Sequence, residues 1–200
     1  TVVVNLLDLT SGRVVATAAA ANPQGRYGAD VISRIHYANQ PNGAAILQES
    51  IVEGLRDLIA QTAQTAKIRP TEIYEIVAVG NTTMNHLLLN RPVGQLGQAP
   101  YRAYSVAACT KNAAEMNLNI APHGRLYTLE NIAGFVGSDT VAAALACGLD
   151  LPDGPTLLVD IGTNGELVLR AGEQLWAASC AAGPALEGSG ITFGSSAQDG

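Results

Sequence analysis

Apolar residues recur along this chain with two periods, and the switches between them mark out the elements. Residues 2–9 and 14–20 are apolar runs of strand length. The turn residues Asp8, Thr10, Ser11 and Gly12 lie between them, which predicts a strand pair. Residues 22–27, with Pro23 and Gly25, read as a loop, and 29–38 as a short helix with Asp30, Arg34 and His36 on its surface. Over 44–66 the period lengthens. Leu47, Ile51, Leu55, Leu58 and Thr62 follow one another at steps of four, four, three and four, which puts them on one stripe of a helix, with Glu49, Glu53, Arg56 and Asp57 on the opposite face. Pro70 closes that region. Residues 73–79 form a short apolar run, followed by Gly80-Asn81-Thr82-Thr83 and a helical pattern over 84–89. Between 91 and 125 the pattern is broken by Pro92, Pro100 and Pro122, and 104–108 is the one candidate strand there. A further strand is expected over 125–131 and an Ala-rich helix over 141–149. Last come two apolar runs, 157–161 and 167–169, around a Gly-Thr-Asn-Gly turn, and a strand over 175–179. This order predicts one α/β unit followed by the start of another.

Composition narrows the class. With 48% hydrophobic and 14% charged residues, the chain can bury a core and does not resemble a disordered segment. A net charge of −6 argues against nucleic acid or an anionic membrane as partner. No apolar run approaches the roughly 18 residues of a membrane span, and no secretory signal opens the sequence. Cys109, Cys147 and Cys180 are far apart and form no Cys-x-x-Cys pair, which argues against a zinc or iron–sulfur site built from these residues alone and fits reduced thiols in a cytoplasm. His36, His86 and His123 show no metal-ligand spacing. The sequence opens inside an apolar run and has no initiator Met, so it is expected to be a piece of a longer protein cut within its first strand pair; residues 194–200 read as loop.

Candidate chemistry gathers at three turns. Asp160 stands at the end of the 157–161 run, and Gly162, Thr163, Asn164 and Gly165 follow it. An acid at a strand end, followed by nearly bare backbone amides, suits a metal-bound polyphosphate: the carboxylate serves the cation and the amides serve phosphate oxygens. An ordinary exposed hairpin with a chance aspartate has the same sequence signature. Asn81 and Thr82, after a strand and before a helix, stand where α/β folds place ligand-binding groups, although helix capping would use the same residues. Asp139 opens the Ala-rich helix, either as a cap, a role open equally to Ser138, or as a carboxylate that orients a water at the mouth of a cleft. The stretch 180–190 is small, Gly-rich and carries Glu187 as its one charge, so it passes close to backbone or to a ligand.

Several blocks are specific enough to carry a resemblance. Ser-Asp-Thr-Val-Ala-Ala-Ala-Leu-Ala-Cys-Gly-Leu-Asp (138–150) followed by Leu-Leu-Val-Asp-Ile-Gly-Thr-Asn-Gly-Glu (157–166) resembles the connecting helix and second phosphate loop of the actin, sugar kinase and heat-shock chaperone ATPase superfamily. Within it, the chain resembles the ATP-dependent reductive activators of corrinoid proteins. That resemblance takes in Asn22-Pro23, Tyr27 to Ile35, Val79 to Met84, Ile132 to Gly137 and Ala182 to Gly188. It implies ribonuclease H-like domains. Residues 1–150 would form the first, lacking its first strand and ending in a connecting helix at 138–149; residues 155–200 would start the second, with its phosphate-binding hairpin.

The resemblance also implies a function. Such activators hydrolyse ATP to drive reduction of an inactivated Co(II) corrinoid to Co(I), with electrons from a [2Fe-2S] domain that would lie outside this fragment. Asp160 would hold Mg²⁺; Gly162, Thr163, Asn164 and Gly165 would line the β- and γ-phosphates; Asp139 would orient the attacking water; and Asn81, Thr82, Gly183 and Glu187 would complete the nucleotide site. The partner would be the corrinoid protein of a methyltransferase system, and a homodimer is compatible with the resemblance. The first phosphate loop, the iron–sulfur domain and an adenosine-binding stretch after Gly190 are not in the sequence, so the fragment alone is expected to be inactive. Activators of 2-hydroxyacyl-CoA dehydratases share the fold but need a cysteine pair beside the second phosphate loop, where Cys180 stands alone. A small-molecule kinase would need an acceptor and a carboxylate base, and a non-catalytic filament or chaperone-like module would bind nucleotide without redox partners.

Overall fold

A computed structural model describes residues 1–151, 154–162 and 164–181. Strands β1 (Val2–Asp8) and β2 (Arg13–Ala20) pair antiparallel, Val2 opposite Ala20 and Asp8 opposite Arg13. Gly12 turns the chain at φ +68°, and Asp8 accepts from the backbone and hydroxyl of Thr10 and the hydroxyl of Ser11. A 3₁₀ turn at Pro23–Tyr27, where a loop is expected, leads to α1 (Val31–Ala38). Asp30 caps α1 through a capping box with Ser33 rather than decorating its surface. Arg34 likewise turns inward, donating to the Gly28 carbonyl at 2.8 Å and to Met84 Sδ at 3.2 Å.

Helix α2 (Gly43–Ala66) realises the expected stripe: Leu47, Leu58 and Thr62 are buried. It organises the rest of the first unit. On one side Ile59 and Val52 join Leu88, Leu118, Ile120 and Leu126 in a core that Val4 of β1 and Ile76 also touch. On the other, Leu47 meets Ile35, Leu87, Val93 and Leu96. Burying a leucine of this size contributes about 2 kcal/mol, which is why a 24-residue helix of ordinary propensity stays in place.

Strands β3 (Glu75–Ala78), β4 (Cys109–Asn112) and β5 (Arg125–Thr128) form a second sheet in the order β3-β5-β4, with β3 parallel and β4 antiparallel to β5. The strand expected at 104–108 is absent, and β4 starts at Cys109 instead. Its backbone bonds to side chains: the Ser105 amide donates to His86 Nε2 and the Ala107 amide to Ser105 Oγ. Helix α3 is Thr82–Leu88, and α4 is Ser138–Ala146, three residues earlier at its start than the hydrophobic pattern suggests.

Strands β6 (Thr156–Ile161), β7 (Asn164–Ala171) and β8 (Gln174–Ala181) make an antiparallel meander. The Asn164-Gly165 dipeptide is not the turn: Gly165 lies in β7, opposite Ile161 on one side and Cys180 on the other. Pairing with β8 draws these residues into the ladder, and tertiary pairing overrides their turn propensity. No helix among the described residues is long and apolar enough to cross a membrane.

Candidate functional site

The end of β3 is clamped onto the start of α4. Ser138 Oγ lies 3.1 Å from both the amide nitrogen and the carbonyl oxygen of Gly80, the Ser138 amide donates to Gly80 O at 3.1 Å and lies 3.2 Å from Asn131 Oδ1, and Ser138 is fully buried. A Cβ on Gly137 would strike the backbone of Gly80 and Asn81, so only glycine lets the helix approach this closely. Gly137 is therefore the N-cap residue, and neither Ser138 nor Asp139 serves as a side-chain cap.

Asn81 and Thr82 occupy this junction with different commitments. Asn81 caps α3, its Oδ1 accepting from the Met84 amide at 2.9 Å. It also lines the open groove between β1 and β3. Thr82 is buried and donates its hydroxyl to the Ala133 carbonyl at 2.6 Å, so its side chain braces the 132–137 loop and presents no free hydroxyl. One turn on, His86 is buried with Nδ1 2.7 Å from Thr82 O and Nε2 accepting from Ser105. This pattern suits a neutral ring with its proton on Nδ1. Burial lowers its affinity for a second proton.

Asp139, Asp160 and Glu166 lie within one another's electrostatic reach. Asp139 sits in the first turn of α4, half-buried, with Oδ1 2.9 Å from the Thr140 amide. Asp160 is exposed near the end of β6 and stands directly opposite Glu166 on β7. Burial raises the Asp139 carboxyl above its usual range, and the Asp160 charge raises it further. Glu166 is raised by burial and then by Asp139 and Asp160, while Ser179 Oγ lies 3.4 Å from its Oε1. Glu166 is a residue that the sequence reading passed over. The signal was available: in an antiparallel hairpin with Ile161 opposite Gly165, positions 160 and 166 must also face each other.

Gly162 donates its amide to Asn164 O at 2.9 Å, so that N–H is engaged within the turn, and Asn164 and Gly165 stand at the start of β7. Thr163, Gly183 and Glu187 lie outside the described residues. Among the described residues, no three His, Cys, Asp or Glu side chains converge tightly enough to cage a metal ion. That is compatible with Mg²⁺, which keeps several waters and takes one or two carboxylates beside substrate phosphates.

A family model described as the RACo middle region matches residues 1–151, three-quarters of the sequence. The chain belongs to the RACo family. A second RACo model, described as the C-terminal ASKHA domain, matches residues 154–200. Similar proteins carry a corrinoid theme in their names. The corrinoid activation enzyme RamQ of Eubacterium limosum is 38% identical over 190 residues, covering 94% of this chain and 32% of RamQ. The [Co(II) methylated amine-specific corrinoid protein] reductase of Methanosarcina barkeri is 42% identical over 65 residues, 32% of this chain and 12% of that protein. A solved reductive activator for corrinoid, iron-sulfur protein superposes with a TM-score of 0.87 at 39% identity, over 96% of this chain and 31% of the solved one. The chain thus spans about a third of the length of RamQ and of the solved activator, and its fold is of the actin-like ATPase class.

Proposed function

We propose that this RACo-family chain is the nucleotide-responsive part of a corrinoid activator, in which Mg-ATP hydrolysis drives one-electron reduction of a partner's Co(II) corrinoid to Co(I). The observation that carries the reading is the gathering of Asp139 from α4 with Asp160 and Glu166 from the β6–β7 hairpin. Burial and the neighbouring Asp160 charge raise the proton affinity of Asp139 and Glu166, and a cation there would relieve the repulsion. Mg²⁺ would supply charge neutralisation at the terminal phosphates, held through Asp160. Asp139, with its raised proton affinity, is suited to orient the attacking water and accept its proton. The backbone of residues 162–165 would line the β- and γ-phosphates, with Gly183 and Glu187 completing the nucleotide site. Asn81 faces the same space from the first unit, and Thr82 holds its loop in position. Phosphoryl transfer asks mainly for positioning and charge stabilisation, so this small set is sufficient.

The need for ATP follows from the direction of electron flow. Electrons would come from a [2Fe-2S] domain outside this chain, and the cobalt couple is expected to lie below the cluster's potential. A conformational switch worth on the order of 5 kcal/mol gives a near-complete population shift. At about 59 mV per tenfold change for one electron, that offsets roughly 200 mV. The partner would be the corrinoid protein of a methyltransferase system, met in a cytoplasm.

The experiment is a spectroscopic assay of the full-length protein with a Co(II) corrinoid protein and a one-electron donor. Co(I) formation that requires hydrolysable ATP supports the reading; equal Co(I) formation without ATP overturns it.

A further inference from the structure

Two segments distant in sequence lie side by side ahead of α4. The rings of Tyr101 and Phe135 meet edge to face, 5.3 Å between centroids, and a Cβ on Gly134 would strike the Tyr101 carbonyl. At the other end of the contact the Val106 carbonyl accepts from the Asn131 amide at 2.9 Å. The 101–106 and 131–135 segments therefore run in opposite directions. Both are held from behind: His86 takes the Ser105 amide, and Thr82 donates to the Ala133 carbonyl. The surface they present is preformed, and a partner has little ordering to impose on it.

That surface is apolar and almost uncharged. Tyr104 is 62% exposed, Ile132 48%, Tyr101 47% and Val106 46%. Residues 99–108 carry one charge, Arg102, and 131–137 carry none. Aromatic residues are only 4% of the chain, yet two of its six tyrosines and one of its two phenylalanines stand here. Tyrosine, arginine and depleted charge mark the centre of a protein–protein interface. A structural loop gains nothing by exposing such side chains together.

The same segments lead to the candidate site. Asn131 Oδ1 lies 3.2 Å from the Ser138 amide, so the residue that meets Val106 also holds the first turn of α4. Asp139 follows Ser138 and stands within electrostatic reach of Asp160 and Glu166. A displacement of the exposed face thus reaches the Asp139 carboxylate through one residue, Asn131.

We propose that this face docks the partner corrinoid protein, with Tyr101, Tyr104, Val106 and Ile132 against an apolar patch of that protein and Arg102 against an acidic group beside it. The choice of occupant rests on the corrinoid reading above, under which hydrolysis must answer to a docked partner. Charge argues against a second copy. A two-fold interface would bring another Arg102 to the same patch, and neither 99–108 nor 131–137 holds a carboxylate to receive it.

The test uses the full-length protein and a Tyr104→Ser/Ile132→Ser double variant, changed at two exposed positions. Titration calorimetry with the Co(II) corrinoid protein should show binding weakened about tenfold or more in the variant. Hydrolysis of ATP without partner should be unchanged, and ATP-dependent Co(I) formation should need correspondingly more partner. Equal affinity in the two proteins overturns the inference. So does a Tyr104 that resists nitration in the free full-length protein, which would mean that the rest of the polypeptide covers the face. A fall in oligomeric mass in the variant also overturns it, because a second copy would then be the occupant. Weakened binding beside a parent that forms no Co(I) with ATP supports the docking face and removes only the reductive reading. A parent that binds no corrinoid protein overturns both.

Discussion

Asp160 and Glu166 face each other directly across the β6–β7 ladder. Like charges so placed weaken a strand pair by some tenths of a kcal/mol up to about 1 kcal/mol. A hairpin shaped by stability alone would not favour the pair. Glu166→Gln should therefore raise the melting temperature of the isolated chain while lowering ATP hydrolysis by the full-length protein. Calorimetry and a phosphate-release assay measure the two effects. Loss of stability in this variant would show that Glu166 is a structural residue.

Asp139→Asn should behave in the same sense and more strongly in the assay. The carboxylate is held half-buried near Asp160, and its charged form is disfavoured in the folded state. A carboxyl whose folded proton affinity is raised loses stability as pH rises through the range between its unfolded and folded values. The amide removes that loss, so stability at pH 7 should rise. Hydrolysis should fall by about 10²-fold or more, as expected for removal of a general base.

Gly137→Ala tests the clamp between β3 and α4. The added methyl meets the backbone of Gly80 and Asn81, which cannot move aside as a flexible side chain would. Overpacking of this kind costs about 1–3 kcal/mol. A denaturant titration should show the midpoint falling, with nucleotide affinity of the full-length protein falling as well. Thr82→Val removes the 2.6 Å bond to Ala133 without changing volume and should cost about 1 kcal/mol.

His86 predicts the pH response. It is buried and its proton affinity is lowered by burial, so the unfolded chain binds the proton more readily. Stability from this group is present above the ordinary histidine value of about 6.5 and is lost as pH falls below it. Melting curves from pH 7.5 to 5.5 should show the decline, and His86→Asn should flatten it.

The sequence made the α2 stripe legible because Leu47, Leu58 and Thr62 bury one face of a long helix, and periodicity reports burial directly. The β6–β7 hairpin and Asp160 were legible for a similar reason: apolar runs on either side of small residues. What escaped depended on partners distant in sequence. Asn164-Gly165 became strand because β8 pairs with it, and 104–108 stayed irregular because His86 takes the Ser105 amide. Gly137 became the N-cap of α4 with Gly80 and Asn81 lying against it, whereas the Asp30–Ser33 capping box and the place of Glu166 opposite Asp160 are local patterns that the sequence itself carries.

Asp160 is the residue on which the proposed nucleotide site turns. Titration calorimetry of Mg-ATP into the full-length protein and its Asp160→Ala variant tests it most directly. Saturable Mg²⁺-dependent binding in the parent, weakened at least about tenfold in the variant, is the predicted result. Equal binding by the two proteins, or none by the parent, would contradict it.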